Sequence, residues 1–409
     1  MTNRPSNSCV ILGVTGSIAA CKAADLASRL TKAGVDTHVV MTDSATRLVQ
    51  PRTFQTLTRN PVVTDLWDLP DWQPGHIALA DRADLLIVAP ATANILAKMA
   101  HGIADDALST QILAHEGPVA AAPAMNPRMW RHPAVRENVN ILRRRGVRIL
   151  GPACGDVACG APGEGRMLEP ESIAQAVKAQ LLVLRTPQLA GRHDRVLVTA
   201  GPTCEDVDPV RFLTNRSSGR MGYAVAAAAA AAGMSVTLVT GPTALPLPLG
   251  CTPVHVRSAA DMADAVKKHL PHVEGLIMAA AVADYRPETT SAAKIVKSAG
   301  PLSLPLQRTE DILATVAEIR QPRQWIVGFA AETEHAEERA KEKLARKRLD
   351  WIAVNDVARS DIGFDSAENE LVLHSPTTRI ELGKADKLEL AVRLLAAVVP
   401  EHTPENLHR

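Results

Sequence analysis

The sequence has 409 residues, 46% hydrophobic and 22% charged, and its 45 Lys plus Arg against 44 Asp plus Glu leave a formal charge of +1. So even a balance excludes a global field for nucleic acid or anionic lipid, and an aromatic content of 3% leaves little to stack on exposed bases, so any anion site is local. The length is too great for one ordinary core and points to two domains.

From the N-terminus, MTNRPSNSCVILG contains no long apolar segment followed by a small-residue cleavage site, which argues against a secretory signal. Short β-branched runs then alternate with longer helical stretches, the pattern of parallel sheets covered by helices. Strands are predicted at residues 9–12, 36–42, 85–89, 119–122 and near 147–150, then at 195–199, 235–240, 276–280, 325–329 and 351–354. Near-continuous apolar runs of this kind imply burial on both faces. KAGVDTHVVMT (32–42) and AAGMSVTLVT (231–240) repeat a Gly at a helix C-terminus before a second strand. Between the halves, LLVLRTPQLAGRHD (181–194) clusters Pro, Gly and charge, which sets a boundary near residue 190 and two α/β domains, 1–190 and 191–409. The final PEHTPENLHR reads as a disordered tail. Six cysteines without a C-x-x-C pair, and no segment long and apolar enough to span a bilayer, fit a reduced cytoplasmic protein.

In the first half, the opening strand runs into GVTGSIAACKAADL, where Gly13 and Gly16 permit a tight turn and Ser17 can cap the following helix. Its N–H groups and dipole would favour an anion. The spacing is neither G-x-G-x-x-G nor a Walker A loop, so a plain βα turn accounts for it equally well. APATANILAKMAHGIADDALST (89–110) places Thr92 and Asn94 just past a strand, where ligands bind in such sheets. PAMNPRMW (123–130) offers the Asn126 amide, and CGAPGEGRML (159–168) is Gly-rich enough to move and carries Cys159 and Arg166. Taken singly, a His is more often a capping residue and a Cys as often a core filler as a reactive group.

The G-S-I-A turn, a His before A-x-x-A-D, AP-x-x-AN, P-A-M-N-x-x-M-W and Cys-G-x-x-G-x-G-R-M, in that order, resemble the phosphopantothenoylcysteine decarboxylases, FMN enzymes of coenzyme A synthesis. The resemblance implies a flavodoxin-like flavoprotein domain in which Gly16, Ser17, Ile18, Ser44, Thr92, Ala93 and Asn94 hold FMN. It makes His76 the catalytic base, Asn126 a substrate ligand and Cys159 the proton donor, and it implies a homo-oligomer, since flavin sites of the family form between subunits. The family's Cys-Gly-Asp is matched in wording by Cys154-Gly155-Asp156. In spacing it is matched by Cys159, seven residues before Arg166 against twelve for Cys154. The chemistry suits these residue types. A simple cysteine carboxylate gives no stabilised carbanion, so in the family the substrate thiol is first oxidised at the expense of the flavin to a thioaldehyde, an electron sink. Decarboxylation then yields an ene-thiolate that an acid can protonate, and the reduced flavin completes the return.

The second half opens alike: the strand at 195–199 leads into AGPTCEDVDPVRFLTNRSSGRMG, where amides around Ser217, Ser218 and Gly219 could cradle phosphate, although an ordinary loop fits as well. MAAAVADYRP (278–287), Lys294, GFAAET (328–333), the basic helix AKEKLARKRLD (340–350) and an NDV segment follow. Together they resemble the phosphopantothenate–cysteine ligases, which many bacteria fuse behind the decarboxylase. The implied domain is a doubly wound, Rossmann-like fold. It would use CTP with Mg2+ to activate 4'-phosphopantothenate as an acyl-cytidylate, which the cysteine amine attacks with no nucleic acid or membrane partner.

Carried over, Met278, Ala279, Ala280, Asp284, Lys294, Glu310, Asp311, Ile312, Leu313, Phe329, Lys343 and Lys347 bind CTP. Arg211 and Asn215 hold the acyl-cytidylate, and Lys294 neutralises developing charge. The chain departs from the family at Cys204 (usually Arg), Arg216 (usually His), Val296 (usually Lys) and Glu310 (usually Pro). Rival functions on similar folds are a peptidyl-cysteine decarboxylase, a flavin prenyltransferase and a non-catalytic regulatory flavoprotein. The C-terminal domain argues against the first two, and retention of His76 and Cys159 against the third.

Overall fold

The computed structural model describes residues 8–67, 75–156, 162–297, 301–332, 336–356 and 368–400. The chain separates into two compact units, Met1–Leu181 and Leu182–Arg409. The tail expected at 400–409 lies outside the described residues from 401 onward.

In the first unit the chain runs β1 (Cys9–Val14), α1 (Ala20–Lys32), β2 (Asp36–Met41), α2 (Asp43–Thr46), α3 (Pro51–Thr58), β3 (Val62–Val63), α4 (Gly75–Arg82), β4 (Leu85–Ala91), α5 (Ala93–His101), α6 (Ala107–Ala114), β5 (Val119–Pro123), α7 (Pro127–Arg131), α8 (Pro133–Arg144), β6 (Arg148–Ile149), β7 (Ala153–Asp156), β8 (Pro162–Arg166) and α9 (Pro170–Leu184). The six-stranded sheet has the order β3-β2-β1-β4-β5-β6. Setting aside the two-residue edge strand β3, the remaining strands run 2-1-3-4-5 in chain order, the flavodoxin-like arrangement. Every residue of β1 is buried because both its faces are covered, and Val10 pairs with Thr37 on one side and Leu85 on the other. Strand order reverses between β1 and β4, so a crevice opens at their carboxyl ends.

In the second unit, β9 (Arg195–Ala200), β10 (Cys204–Asp206), β11 (Phe212–Thr214), α10 (Arg220–Ala231), β12 (Ser235–Thr240), β13 (Cys251–His255), α11 (Ala259–His269), β14 (Gly275–Met278), β15 (Tyr285–Pro287), β16 (Leu306–Arg308), α12 (Ile312–Ile319), β17 (Trp325–Glu332), α13 (Ala336–Arg346), β18 (Trp351–Asp356), β19 (Glu368–His374), β20 (Arg379–Asp386) and α14 (Lys387–Val398) follow. The main sheet has the order β13-β12-β9-β14-β17-β18-β19-β20. Its first six strands are parallel, and β19 and β20 extend it antiparallel. The crevice here opens between β9 and β14.

Gly275 is where this sheet tolerates no side chain: a Cβ would lie 2.0 Å from the ring of Trp325, its partner on β17. Gly275→Ala is therefore expected to cost about 1–3 kcal/mol through overpacking. A fall of several degrees in the unit's melting temperature checks it.

His374 on β19 is 2% exposed and its Nε2 has no partner among the described residues. Burial holds its imidazole below the ordinary value, with Arg379 and Lys341 adding to the effect of burial and Glu337 opposing it. The folded form thus stays neutral where the unfolded chain takes a proton, so stability is full above about pH 6.5 and declines as pH falls through and below it. Measured as melting temperature against pH, this slope should flatten in His374→Gln; an unchanged slope would assign it to other groups.

Candidate active sites

Three loops meet at the carboxyl edge of the first sheet. Gly16 lies so close to α2 that a Cβ would sit 2.4 Å from the Ser44 Cβ, so only Gly lets these two segments approach. The hydroxyl of Thr15 donates to Pro90 O at 2.7 Å and accepts from Thr92 N at 3.2 Å, joining the turn after β1 to the end of β4. Ser17, Ile18, Ser44 and Thr92–Asn94 are thereby brought to one crevice, with Ile18 67% exposed although apolar. Thr15 itself was missed in the sequence, where it is simply one more residue of a turn.

Ser17 is not the helix cap expected of it. Helix α1 starts at Ala20 behind Ala19, which supplies no side-chain cap, and Ser17 instead closes a local turn with its N–H to Thr15 O at 2.8 Å. The helices α5, α6, α7 and α8, by contrast, are capped by Thr92, Asp106, Asn126 and His132. The Ser17 hydroxyl accepts from Ala19 N at 3.4 Å, Ser17 O accepts from Ala20 N at 2.8 Å and Ala19 O from Lys22 N at 2.9 Å, so the turn itself takes up most of the amides at the start of α1.

Asn126 follows β5 and its Oδ1 accepts from Arg128 N at 2.8 Å, which fixes the amide's orientation. Beside it runs the β7–β8 hairpin: Met125 N donates to Gly165 O at 2.9 Å and Trp130 Nε1 to Glu164 at 3.2 Å. Gly165, at φ 152°, would place a Cβ 2.3 Å from Met125 O, so close docking of the hairpin requires Gly. The base of the hairpin is tied to α1 through Arg166–Glu169 at 2.5 Å and Lys22–Glu169 at 3.0 Å. Cys159 belongs to residues 157–161, outside the described residues, while Cys154 is exposed on β7. His76 lies in α4, near its start, and its side chain is likewise outside the description.

At the opposite edge of this sheet Cys9, Asp36 and His38 cluster with donor atoms within 4.8 Å. Asp36 is already engaged by Asn60 at 2.8 Å, His38 at 3.2 Å and Arg82, so the cluster is an ion-pair network of the fold. Burial, with the charge of Asp36, pushes the Cys9 thiol up to about 11.

The second unit holds two clefts with a common wall. The first, of about 430 Å3, is lined by Met278, Ala280, Asp284, Glu310–Leu313, Phe329, Lys343 and Lys347, together with Tyr285 and Arg308, which sequence reasoning missed. The second, of about 460 Å3, is lined by Asn215–Gly222, Ala279, Asn355, Asn369 and Lys387. Ala280, Val282, Asp284, Phe329 and Lys343 face both. Lys343 donates to Phe329 O at 2.8 Å, and Lys347, one turn on, pairs with Asp311 at 2.9 Å. Burial alone would raise the Asp311 carboxyl, but Lys347 and the Ala314 amide hold it below the usual range. Glu310, where the family has Pro, brings a further carboxylate to the cleft and is met by Lys267 at 3.2 Å and Thr315 at 2.8 Å.

Asn215 Nδ2 donates to Val282 O at 3.0 Å, fastening the 211–219 loop to the end of β14. At the end of that loop α10 begins behind Gly219, again without a side-chain cap, and Arg216 and Arg220 stand exposed around it. Arg211 and Lys294 line neither cleft. Arg211 is bound to the buried Asp208 at 2.5 and 2.9 Å and to Ile295 O at 2.9 Å, so here it anchors the segment that carries Lys294. Arg211 and three backbone amides hold the Asp208 carboxyl well below the usual carboxylate range. Cys204, in place of Arg, is buried 3.7 Å from the Thr214 hydroxyl.

Residues 191–401 match the family described as DNA/pantothenate metabolism flavoprotein C-terminal domain, and residues 2–182 match the Flavoprotein family. The chain is 42% identical over 392 residues to the coenzyme A biosynthesis bifunctional protein CoaBC of Vibrio vulnificus (strain YJ016), covering 95% of this chain and 96% of that protein. With the CoaBC protein of Bacillus subtilis (strain 168) the identity is 44% over 398 residues, 96% and 97% of the two chains. Among solved structures, the C-terminal domain of a CoaBC protein shares 42% identity over 52% of this chain and 95% of that one, at a TM-score of 0.44. A PPC decarboxylase mutant complexed with pantothenoylaminoethenethiol shares 30% identity over 42% of this chain and 97% of that one, at a TM-score of 0.39.

Proposed function

The chain belongs to the bifunctional proteins of coenzyme A biosynthesis, a flavoprotein decarboxylase joined to a ligase, and from that premise we propose how its residues divide the work. Residues 191–409 couple cysteine to 4'-phosphopantothenate with CTP, and residues 1–190 decarboxylate the 4'-phosphopantothenoylcysteine formed to 4'-phosphopantetheine.

The observation that carries the ligase reading is the wall common to its two clefts. A nucleotide in the first and an acid in the second meet at Ala280, Asp284 and Lys343. The acid's phosphate lies toward the uncapped start of α10, with Arg216 and Arg220 beside it, and its carboxylate toward the wall. That carboxylate attacks the α-phosphate of CTP, pyrophosphate leaves, and the cysteine amine then displaces CMP from the acyl-cytidylate. Lys343 offsets the charge that builds on the phosphate as the bond to pyrophosphate breaks. Arg211 serves this site from outside it, fastening through Asp208 and Ile295 O the segment that carries Lys294, and Mg2+ accompanies the triphosphate.

In the decarboxylase the close approach of Gly16 to Ser44 and the exposed Ile18 fit a flavin mononucleotide, which Gly16, Ser17, Ile18, Ser44 and Thr92–Asn94 would hold. FMN, when bound, supplies the reversible two-electron oxidation that gives a cysteine carboxylate an electron sink. Asn126 orients the substrate carboxylate, His76 takes a proton and Cys159 returns one to carbon. The hairpin docked on Met125 and Trp130 screens this chemistry from water. The enzyme works as a cytoplasmic homo-oligomer.

Purified protein given 4'-phosphopantothenate, cysteine and CTP is expected to release pyrophosphate, carbon dioxide and 4'-phosphopantetheine. Pyrophosphate without carbon dioxide would limit the reading to the ligase, and a yellow protein that releases neither would overturn it.

A further inference from the structure

The strands β15 and β16 form an antiparallel arm in which Tyr285 and Arg308 are direct cross-strand partners, and both line the nucleotide cleft. Directly opposed residues of an antiparallel pair project from the same face. The arm is fastened at its base: Thr309 N donates to Asp284 O at 3.0 Å, Thr309 Oγ1 to Ala283 O at 2.6 Å, and Glu288 N to Pro305 O at 3.0 Å. Arg308 is therefore held at the cleft by backbone on both sides of the hairpin.

The charges around the cleft give this position its weight. Arg308, Lys343 and Lys347 face Asp284, Glu310 and Asp311, so the described lining is balanced and becomes net acidic if one cation is removed. Lys347 is taken up by Asp311 and Lys343 by the Phe329 carbonyl. The Arg308 side chain makes no hydrogen bond or ion pair among the described residues. A polyanion entering the cleft thus meets one guanidinium whose fork of donors is uncommitted, and that fork matches phosphate oxygens in geometry as well as charge.

We propose that Arg308 is a substrate-contacting residue of the ligase, taking the phosphates of the nucleoside triphosphate and holding the pyrophosphate as it departs. This rests on the reading of the second unit as a CTP-dependent ligase. A charge-assisted pair of this kind is worth about ten- to a hundredfold in affinity.

The test measures CTP binding by calorimetry and the KM values of the full-length enzyme. Arg308→Ala is expected to weaken CTP about ten- to a hundredfold in both. The KM values for 4'-phosphopantothenate and cysteine, and the decarboxylation of supplied 4'-phosphopantothenoylcysteine, should stay unchanged. Arg308→Lys, which keeps the charge but loses the fork, should fall between. Wild-type CTP binding matched within twofold by Arg308→Ala would overturn the role of Arg308 alone. Failure of the wild-type protein to bind CTP would overturn the reading of the unit and this role with it.

Discussion

Cys159→Ser is expected to give a protein that still binds flavin but forms 4'-phosphopantetheine about 10²–10⁴-fold more slowly, the usual worth of a positioned acid. The hydroxyl of Ser is far too weak an acid to protonate carbon at neutral pH, whereas Cys sits within reach. The hairpin geometry sharpens the control. Cys154 is exposed on β7, in register with Glu164 on β8, so Cys154→Ser alters a side chain without disturbing the docking at Gly165. Turnover of supplied 4'-phosphopantothenoylcysteine, read as phosphopantetheine by mass spectrometry, should collapse in the first variant and persist in the second. The reverse pattern would move the proton donor to Cys154.

Lys343→Ala is expected to lower kcat/KM for CTP by about 10²–10³, or about 2.7–4 kcal/mol of transition-state stabilisation. Lys343 alone among the lysines of the first cleft also faces the second, and its Nζ is held 2.8 Å from Phe329 O, so its charge is placed where the two clefts meet. Lys347 lies one turn on and is neutralised by Asp311, so Lys347→Ala should cost less. Pyrophosphate release reports the ligase, and decarboxylation of supplied substrate, unchanged in both variants, shows that the other domain is intact. Equal effects of the two substitutions would mean that the lysines act only as a common field.

Sequence reasoning reached the inner parallel strands because they are short apolar runs, buried throughout in β1 and β14, and it missed the parallel edge strands β3 and β13, none of whose residues is fully buried. It missed β19 and β20, whose ELVLH and RIELG alternate about the turn closed by Ser375 and Thr378, because only continuous apolar runs were sought. The arms β7–β8 and β15–β16 gave less to find. They are short and polar, and tertiary bonds to Met125 and Asp284 hold them in place. Arg308 and Tyr285 escaped with them. Asn369 and Lys387 escaped for a different reason: they reach the second cleft only because the antiparallel extension returns the chain to it, and no local spacing encodes that return. Arg211 shows the converse limit, since its residue type suits an acyl phosphate but its fork is here committed to Asp208.

The open start of α10 has a consequence for the enzyme's persistence in the cell. Thr92, Asp106, Ser258 and Asp386 each complete a helix with a side chain, whereas α10 begins behind Gly219 without one. The first-turn amides of α10 are thus open to an acidic ligand. Anything that binds the folded form alone adds to its stability in proportion to the logarithm of its concentration. A cell short of a ligand that binds there would hold an enzyme more easily unfolded and cleared, which would tie the abundance of the catalyst to the supply of that ligand.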